Sequence, residues 1–499
     1  FLKQTRASEV TPPEVAVSPR HWRQARLSGY PCLYNKTKSS RLIPEQVNTF
    51  PELNPDQITV TQLLLPKYVV PVIPRGTVLE DFAVAITDGR IDKVGPRDLL
   101  CQQMSQAERI DLKSHVLMPG LINMHTHSPM TLLRGYADDL RLDTWLNEHI
   151  WPAEQRWADS EFVRDGTELA IAEMIHGGTT CFNENYFYPD QIAGVVKKSG
   201  MRACIGIPVI DFATSWAATF DEYLQKGMEV RSRFADCDEL NFSIAPHSMY
   251  SVSDSMLERI ADISLNEKMT VHLHLLEIEW EIENSLLQHG MRPLHRAKQL
   301  GLLNSRLNAV HMAHLDDEDI ALLAENEVNV VHCPQSNFKL SSGMCRLADL
   351  VTSGVNVSVG TDGAASNNDL DLLDELRTAA LLAKGLSGDP TVIDSEFALE
   401  LITINAAKSL GVESELGSIE EGKIADLCAL DLAHPRTQPM HNIFSQIVYA
   451  AASSQMTDVW VAGRRLMANK KLTSLDEEEI LCKAENWAKR MQSKPGNGT

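Results

Sequence analysis

Two histidines one residue apart, His125 and His127, close the stretch Met118-Pro-Gly-Leu-Ile-Asn-Met-His-Thr-His-Ser128. The apolar run Val116–Met124, interrupted only by Pro119-Gly120 and Asn123, has the length of a buried strand. Side chains two apart on a strand share a face, so both imidazoles can reach one point. Neutral imidazole is a common ligand for zinc and its neighbours. A bare His-x-His is most often a pair of polar residues at a strand end. Four further residues change that reading: His274, Glu277, His311 and Asp362 each lie at or just past another apolar, strand-like run.

Thr270-Val-His-Leu-His-Leu-Leu-Glu277 reads as the fifth strand. His272 and His274 face the same way on it, and either could approach a metal. His274 is nearer the strand end, which leaves His272 a layer deeper as a packed core histidine. Glu277, three residues on, is placed to carry protons beside the metal rather than to ligate it, although helix capping is the commoner role at a strand–helix junction. Asn308-Ala-Val-His311 ends the sixth strand, and Val355-Asn-Val-Ser-Val-Gly-Thr-Asp362-Gly the eighth. Asp-Gly after a strand is most often a turn. An Asp there can instead bind metal and accept a proton from its water. His125, His127, His274 and Asp362, on three separate strand ends, are the expected ligands. Three imidazoles and a carboxylate suit Zn2+, with Fe2+ or Mn2+ as alternatives.

The elements that must position this set alternate. Between about 119 and 414, strand-like runs end near Asn123, Phe182, Val209, Ala245, His274, Val310, His332 and Gly360. Amphipathic runs such as Ser160–His176, Asp254–Asn266, Asp316–Asn326 and Leu370–Ala383 lie between them. Eight strand–helix units of this length predict an α/β fold, a (β/α)8 TIM-like barrel, with its site at the C-terminal strand ends. A doubly wound sheet has the same period. No Gly-x-Gly-x-x-Gly follows an early strand, which counts against a dinucleotide site. Short β-like runs occupy 57–118, with a hairpin signal at Asp88-Gly89, and return at 415–472. They predict a small β-sandwich domain formed from both chain ends. Residues 473–499 read as a charged surface helix, Leu475–Met491, and a Pro-Gly-Asn-Gly tail. Residues 1–56, with eight Lys/Arg, five Asp/Glu, seven prolines and no period, read as a disordered extension or an artefact of the gene model. A cleaved targeting segment is an alternative there.

Composition narrows the partners. The chain has 499 residues, enough for more than one domain, and its 43% hydrophobic and 23% charged content is that of a soluble globular protein. Its net charge of −21 argues against nucleic acid, whose phosphates need a basic face. No apolar stretch reaches the ~20 residues of a membrane helix. The nine cysteines are scattered, with no Cys-x-x-Cys pair, which fits a reducing, cytoplasmic setting.

His-x-His on a first strand, His on a fifth, His on a sixth and Asp on an eighth together resemble the amidohydrolase superfamily. Phe242-Ser-Ile-Ala-Pro-His247-Ser stands at the fourth strand end, with no lysine to bridge two metals. His274-x-x-Glu277 resembles the one-metal deaminase branch. Pro119–Trp157, Ala245-Pro-His247-Ser, His332-Cys-Pro-Gln-Ser-Asn337 and Gly360-Thr-Asp-Gly-Ala-Ala-Ser-Asn-Asn368 are similar to the 5'-methylthioadenosine/S-adenosylhomocysteine deaminases. The similarity runs from about 57 to 475, and s-triazine and N-ethylammeline hydrolases share much of this frame.

That resemblance implies one divalent metal per subunit, a homodimer, and an adenine nucleoside as substrate. Glu154 would accept hydrogen bonds from the ribose hydroxyls, His247 would contact the sugar, and Trp145 would lie at the adenine end. Ser366 and His332 would sit close by without an assigned role. The implied reaction is hydrolytic deamination of methylthioadenosine and/or S-adenosylhomocysteine to an inosine-type product and ammonia. Asp362, with His311 beside it, would take up the water's proton, and Glu277 would protonate the ring. The Pro-Cys-x-x-Cys mark of the cytidine-type zinc deaminases is absent. Three other readings stay open: a triazine-type hydrolase, a guanine or cytosine deaminase, and a metal-free binding scaffold. Glu277 and Glu154 count against the first, Glu154 against the second, and the full ligand set against the third.

Overall fold

A computed structural model describes residues 61–492. The expectations for residues 1–56 and for the Pro-Gly-Asn-Gly tail lie outside the described residues. Eight parallel strands form one sheet in sequence order: β1 (Leu121–Thr126), β2 (Thr179–Glu184), β3 (Arg202–Val209), β4 (Leu240–Pro246), β5 (Val271–Leu275), β6 (Leu307–His311), β7 (Asn329–His332) and β8 (Val357–Val359). All but β4 are buried along their whole length. Strands covered on both faces read as continuous apolar runs, which is why their ends were visible in the sequence.

The sheet curves until β8 meets β1. Asp362 N–H donates to His125 O at 2.9 Å, and the Asn123 side chain bonds Thr361 twice, to N at 3.0 Å and to Oγ1 at 2.8 Å. Asn123, the polar interruption in an apolar strand, thus joins the two ends of the sheet. Gly360 permits the approach, since a Cβ there would lie 2.5 Å from His125 N.

The run Val116–Met124 is not one strand. Glu108–Pro119 belongs to the second sheet, and β1 begins at Leu121. The division falls at Gly120, where a Cβ would sit 2.1 Å from Thr180 Oγ1. In the 57–118 stretch the described part opens with one strand, Gln62–Val69, whose register shifts between Pro66 and Tyr68.

The second sheet draws on both chain ends. It has nine strands, and Glu108–Pro119 lies between Gln62–Val69 and Leu427–Asp431. It folds over on itself: a bridge joins Arg90 to Ile424, and Leu64, Ile91, Leu117 and Trp460 share one buried cluster. Asp88 and Gly89, with φ of 50° and 76°, make the tight turn between Phe82–Thr87 and Arg90–Pro96.

Helices cover the barrel. Asp159 caps Ser160–His176 through Glu161 N and Phe162 N, and Asp316 caps Asp317–Glu325. The C-terminal helix, Glu477–Gln492, is charged outward, but it buries Ile480 and Trp487. Trp487 Nε1 donates to Asp165 Oδ2 at 3.0 Å, so this helix docks on Ser160–His176. Among the described residues no helix is long and apolar enough to cross a membrane.

Candidate active site

The strand ends deliver the expected residues to one place. His125 lies in β1 and His127 just past it, His274 in β5, His311 at the last position of β6, and Asp362 beyond β8. His311 and Asp362 hold φ of 76° and 65°, strained values for residues with a Cβ and typical of functional rims. His125 Nε2 and His127 Nε2 each stand 3.3 Å from Asp362 Oδ1, and His125 Nε2 stands 3.2 Å from His274 Nε2. Ligand atoms of His125, His274 and His311 lie within 4.8 Å of one another, as do those of His125, His127 and Asp362.

The proton inventory shows what this cluster is suited to hold. His127 Nδ1 donates to Asn185 O at 2.5 Å, and His274 Nδ1 donates to His247 O at 2.7 Å. A carbonyl can only accept, so each ring presents its Nε2 lone pair to the cluster. His125 Nδ1 meets His272 Nε2 at 2.8 Å, and His272 Nδ1 meets the Asn183 amide at 3.0 Å. Asn183 Oδ1 has no partner where it stands. With the amide turned so that Oδ1 faces His272 Nδ1, that oxygen would accept a hydrogen bond from Nδ1–H, His272 Nε2 would accept from His125 Nδ1–H, and the His125 Nε2 lone pair would also be free. Burial lowers the pKa of all these rings, that of His125 to about 4, so they stay neutral. Ser336 Oγ at 2.6 Å, Ser366 Oγ at 2.9 Å and Gly363 N–H at 2.7 Å all donate to Asp362, which keeps its carboxylate ionised. Three lone pairs and a carboxylate facing one point repel each other unless a cation lies between them. The donor set therefore fits a divalent metal.

His272, read from the sequence as a packed core histidine, is fully buried behind His125. His311 falls among the candidate ligand atoms as well as beside Glu277, with its Nε2 3.8 Å from Glu277 Oε2. Burial, and then the charge of Asp362, push Glu277 up to about 8, so it carries a proton at neutral pH.

The cluster opens into a cavity of about 700 Å³. His127, His274, His311, Asp362 and Glu277 form part of its lining, together with Glu154, His247, Trp145 and Ser366. Glu154 Oε1 accepts from Tyr186 OH at 2.7 Å, and burial raises this carboxyl to about 7 against that bond. His247 is pushed down to about 4 by burial and faces Ser251 Oγ at 3.2 Å. Trp145 Nε1 donates to Ala137 O at 3.0 Å, leaving its apolar face to the cavity. His332 is buried at the end of β7 and faces a separate small space with Asn337 and Phe338.

Several residues that hold this arrangement were not singled out from the sequence. Glu184, ending β2, accepts from Ser128 N at 3.0 Å and Thr126 Oγ1 at 2.9 Å, which pins the backbone around His127. Asn185, Tyr186 and Ser336 act as described above. A polar Asn-Glu-Asn-Tyr run after an apolar strand was the available signal for three of them.

Comparison with known proteins agrees with this geometry. The profile of the Amidohydrolase family matches residues 116–466. The chain is 46% identical over 436 residues to a 5-methylthioadenosine/S-adenosylhomocysteine deaminase of Teredinibacter turnerae, covering 87% of this chain and 99% of the relative. It is 39% identical over 419 residues to a 5'-deoxyadenosine deaminase of Methanopyrus kandleri, covering 83% and 96%. The crystal structure of an adenosine deaminase from Xanthomonas campestris with bound zinc superposes with a TM-score of 0.84 at 45% identity, over 87% of this chain and 99% of that one. With the barrel, the strand-end cluster and these matches in agreement, the chain belongs to the Amidohydrolase family.

Proposed function

We propose that this protein hydrolytically deaminates adenine nucleosides of the 5'-methylthioadenosine type, breaking a C–N bond to release ammonia and an inosine-type product. One observation carries the reading. A single cavity holds the His–Asp cluster and Glu277 together with the Glu154–Tyr186 pair, a reader for a vicinal diol. The names of the relatives support it, as does the zinc bound in the Xanthomonas protein.

His125, His127, His274 and Asp362 would hold one divalent ion per subunit, zinc by its donor set. When bound, such an ion lowers the pKa of a water from 15.7 to about 7, supplying the nucleophile at neutral pH. Asp362 accepts the proton of the water that adds to C6, and His311 stands beside it. Glu277, protonated at neutral pH, gives its proton to the adjacent ring nitrogen, so the ring can take up the incoming electron pair. The proton on Asp362 passes to the amino group, ammonia leaves with the electron pair of the breaking C6–N bond, and the C6 hydroxyl gives its proton back to Glu277 as it becomes the carbonyl of the product. Glu154 accepts from the two ribose hydroxyls, His247 contacts the sugar, and Trp145 gives the base an apolar wall. The free cysteines of the described residues fit a cytoplasmic setting.

The test is direct. Zinc-replete full-length protein is mixed with methylthioadenosine, and loss of adenine absorbance is followed alongside released ammonia. Both should change one for one; an unchanged spectrum refutes the proposal. Kinetics left untouched by Glu154→Ala would refute the nucleoside assignment alone.

A further inference from the structure

The relatives' names pair two substrates that differ chiefly at the 5' end, one with a methylthio group and one with a charged amino-acid tail. The cavity treats these ends differently. With C6 at the His–Asp cluster and the ribose at Glu154 and His247, the 5' carbon must face the remaining lining. That part is made of Leu146, Trp151, Phe187, Ile210 and Phe212, with neutral Asn147 and Gln155 at the mouth. Ile210 and Phe187 share an apolar cluster, and Phe212 is 51% exposed, which marks the opening. We propose that this apolar end makes the enzyme selective for uncharged 5' substituents, methylthio, deoxy or hydroxyl, over the amino-acid tail of S-adenosylhomocysteine. The inference rests on the deaminase reading above.

A desolvated carboxylate needs a cationic or bidentate donor. Among the described residues the cavity wall carries no lysine or arginine. Cations near lining residues have other partners, and Arg141, which precedes Leu142, stands 3.7 Å from Asp143. Arg156 lies over the Trp157 ring at 4.4 Å. Lys226 donates to Trp216 O at 2.5 Å and pairs with Glu222 at 2.7 Å. Lys339 pairs with Asp138 at 2.6 Å. The hydroxyls at the mouth are also held, Thr214 Oγ1 by Tyr223 OH at 2.6 Å and Ser215 Oγ by Ala158 O at 3.0 Å. The acidic residues that line the same cavity, Glu154, Glu277 and Asp362, offer a carboxylate no positive partner. An apolar thioether, by contrast, gains from leaving water against this wall.

The experiment compares kcat/KM of the zinc-replete full chain for adenosine, 5'-deoxyadenosine, methylthioadenosine, 5'-isobutylthioadenosine and S-adenosylhomocysteine. The isobutyl compound carries neutral bulk and separates size from charge. All four neutral nucleosides should be deaminated, and S-adenosylhomocysteine should fall at least ~100-fold below methylthioadenosine, as for a charged group left unpartnered. A smaller ratio overturns the inference. So does an isobutyl compound as poor as S-adenosylhomocysteine, because size would then set the limit. If no adenine nucleoside is deaminated, the deaminase reading itself fails and takes the inference with it.

Discussion

Replacing Glu277 by Gln removes a proton donor and almost nothing else. The carboxyl stands 3.8 Å from His311 Nε2 and outside the His125–His127–His274–Asp362 set. Glu277→Gln should lower kcat by about 10²–10⁴-fold while metal content, read by atomic absorption, stays at the wild-type level. A variant that also lost its metal would mean that Glu277 is a ligand. Glu154 yields a prediction with a defined sign. Burial raises its pKa to about 7, so the carboxyl ionises as pH rises through neutrality. Ionised, the carboxyl offers both oxygens as acceptors and bonds hydroxyls more strongly; protonated, one oxygen donates instead. KM for adenosine should therefore fall between pH 6 and 8, while KM for 2',3'-dideoxyadenosine stays flat across the same range. Tyr186→Phe removes the hydrogen bond that favours ionisation and should shift the fall in KM to higher pH.

At the scale of elements, the chemistry depends on how two strands meet. The Asn123 side chain makes two of the three hydrogen bonds that tie β1 to the Thr361–Asp362 segment, beside the backbone bond from Asp362 N–H to His125 O. Asn123→Ala should cost about 1–3 kcal/mol in urea unfolding, since it leaves buried partners unsatisfied, and should weaken metal retention in a dialysis titration. Unchanged retention would show that the ligands do not depend on this join. Asn123 also shows where sequence reading stops. The strand ends and their histidines were legible, because eight buried strands give eight apolar runs and chemistry sits at their C-terminal ends. Asn123 was read only as an interruption, since its partner lies 238 residues away. The same distance effect hid the division of Val116–Met124, which needed Thr180 to explain Gly120. It hid Tyr186 too, whose meaning comes only from Glu154.

For the whole molecule, metal and stability are linked. A ligand that binds only the folded state adds about 2.7 kcal/mol when its free concentration is 100 times Kd. Here two imidazole nitrogens, His125 Nε2 and His274 Nε2, face one another at 3.2 Å, a repulsion that a bound cation would relieve. Chelation should lower Tm in differential scanning calorimetry, and added zinc should restore it; a Tm indifferent to chelator would argue against the site. The second sheet shares in this, because Glu108–Pro119 leads through Gly120 straight into β1. The join between β1 and β8 has one last consequence. His125 and His127 emerge early from the ribosome, and Asp362 arrives only after seven further strands. A growing chain therefore cannot complete the cage until its barrel has closed, and a captured ion acts as a clasp that fastens only on a finished molecule.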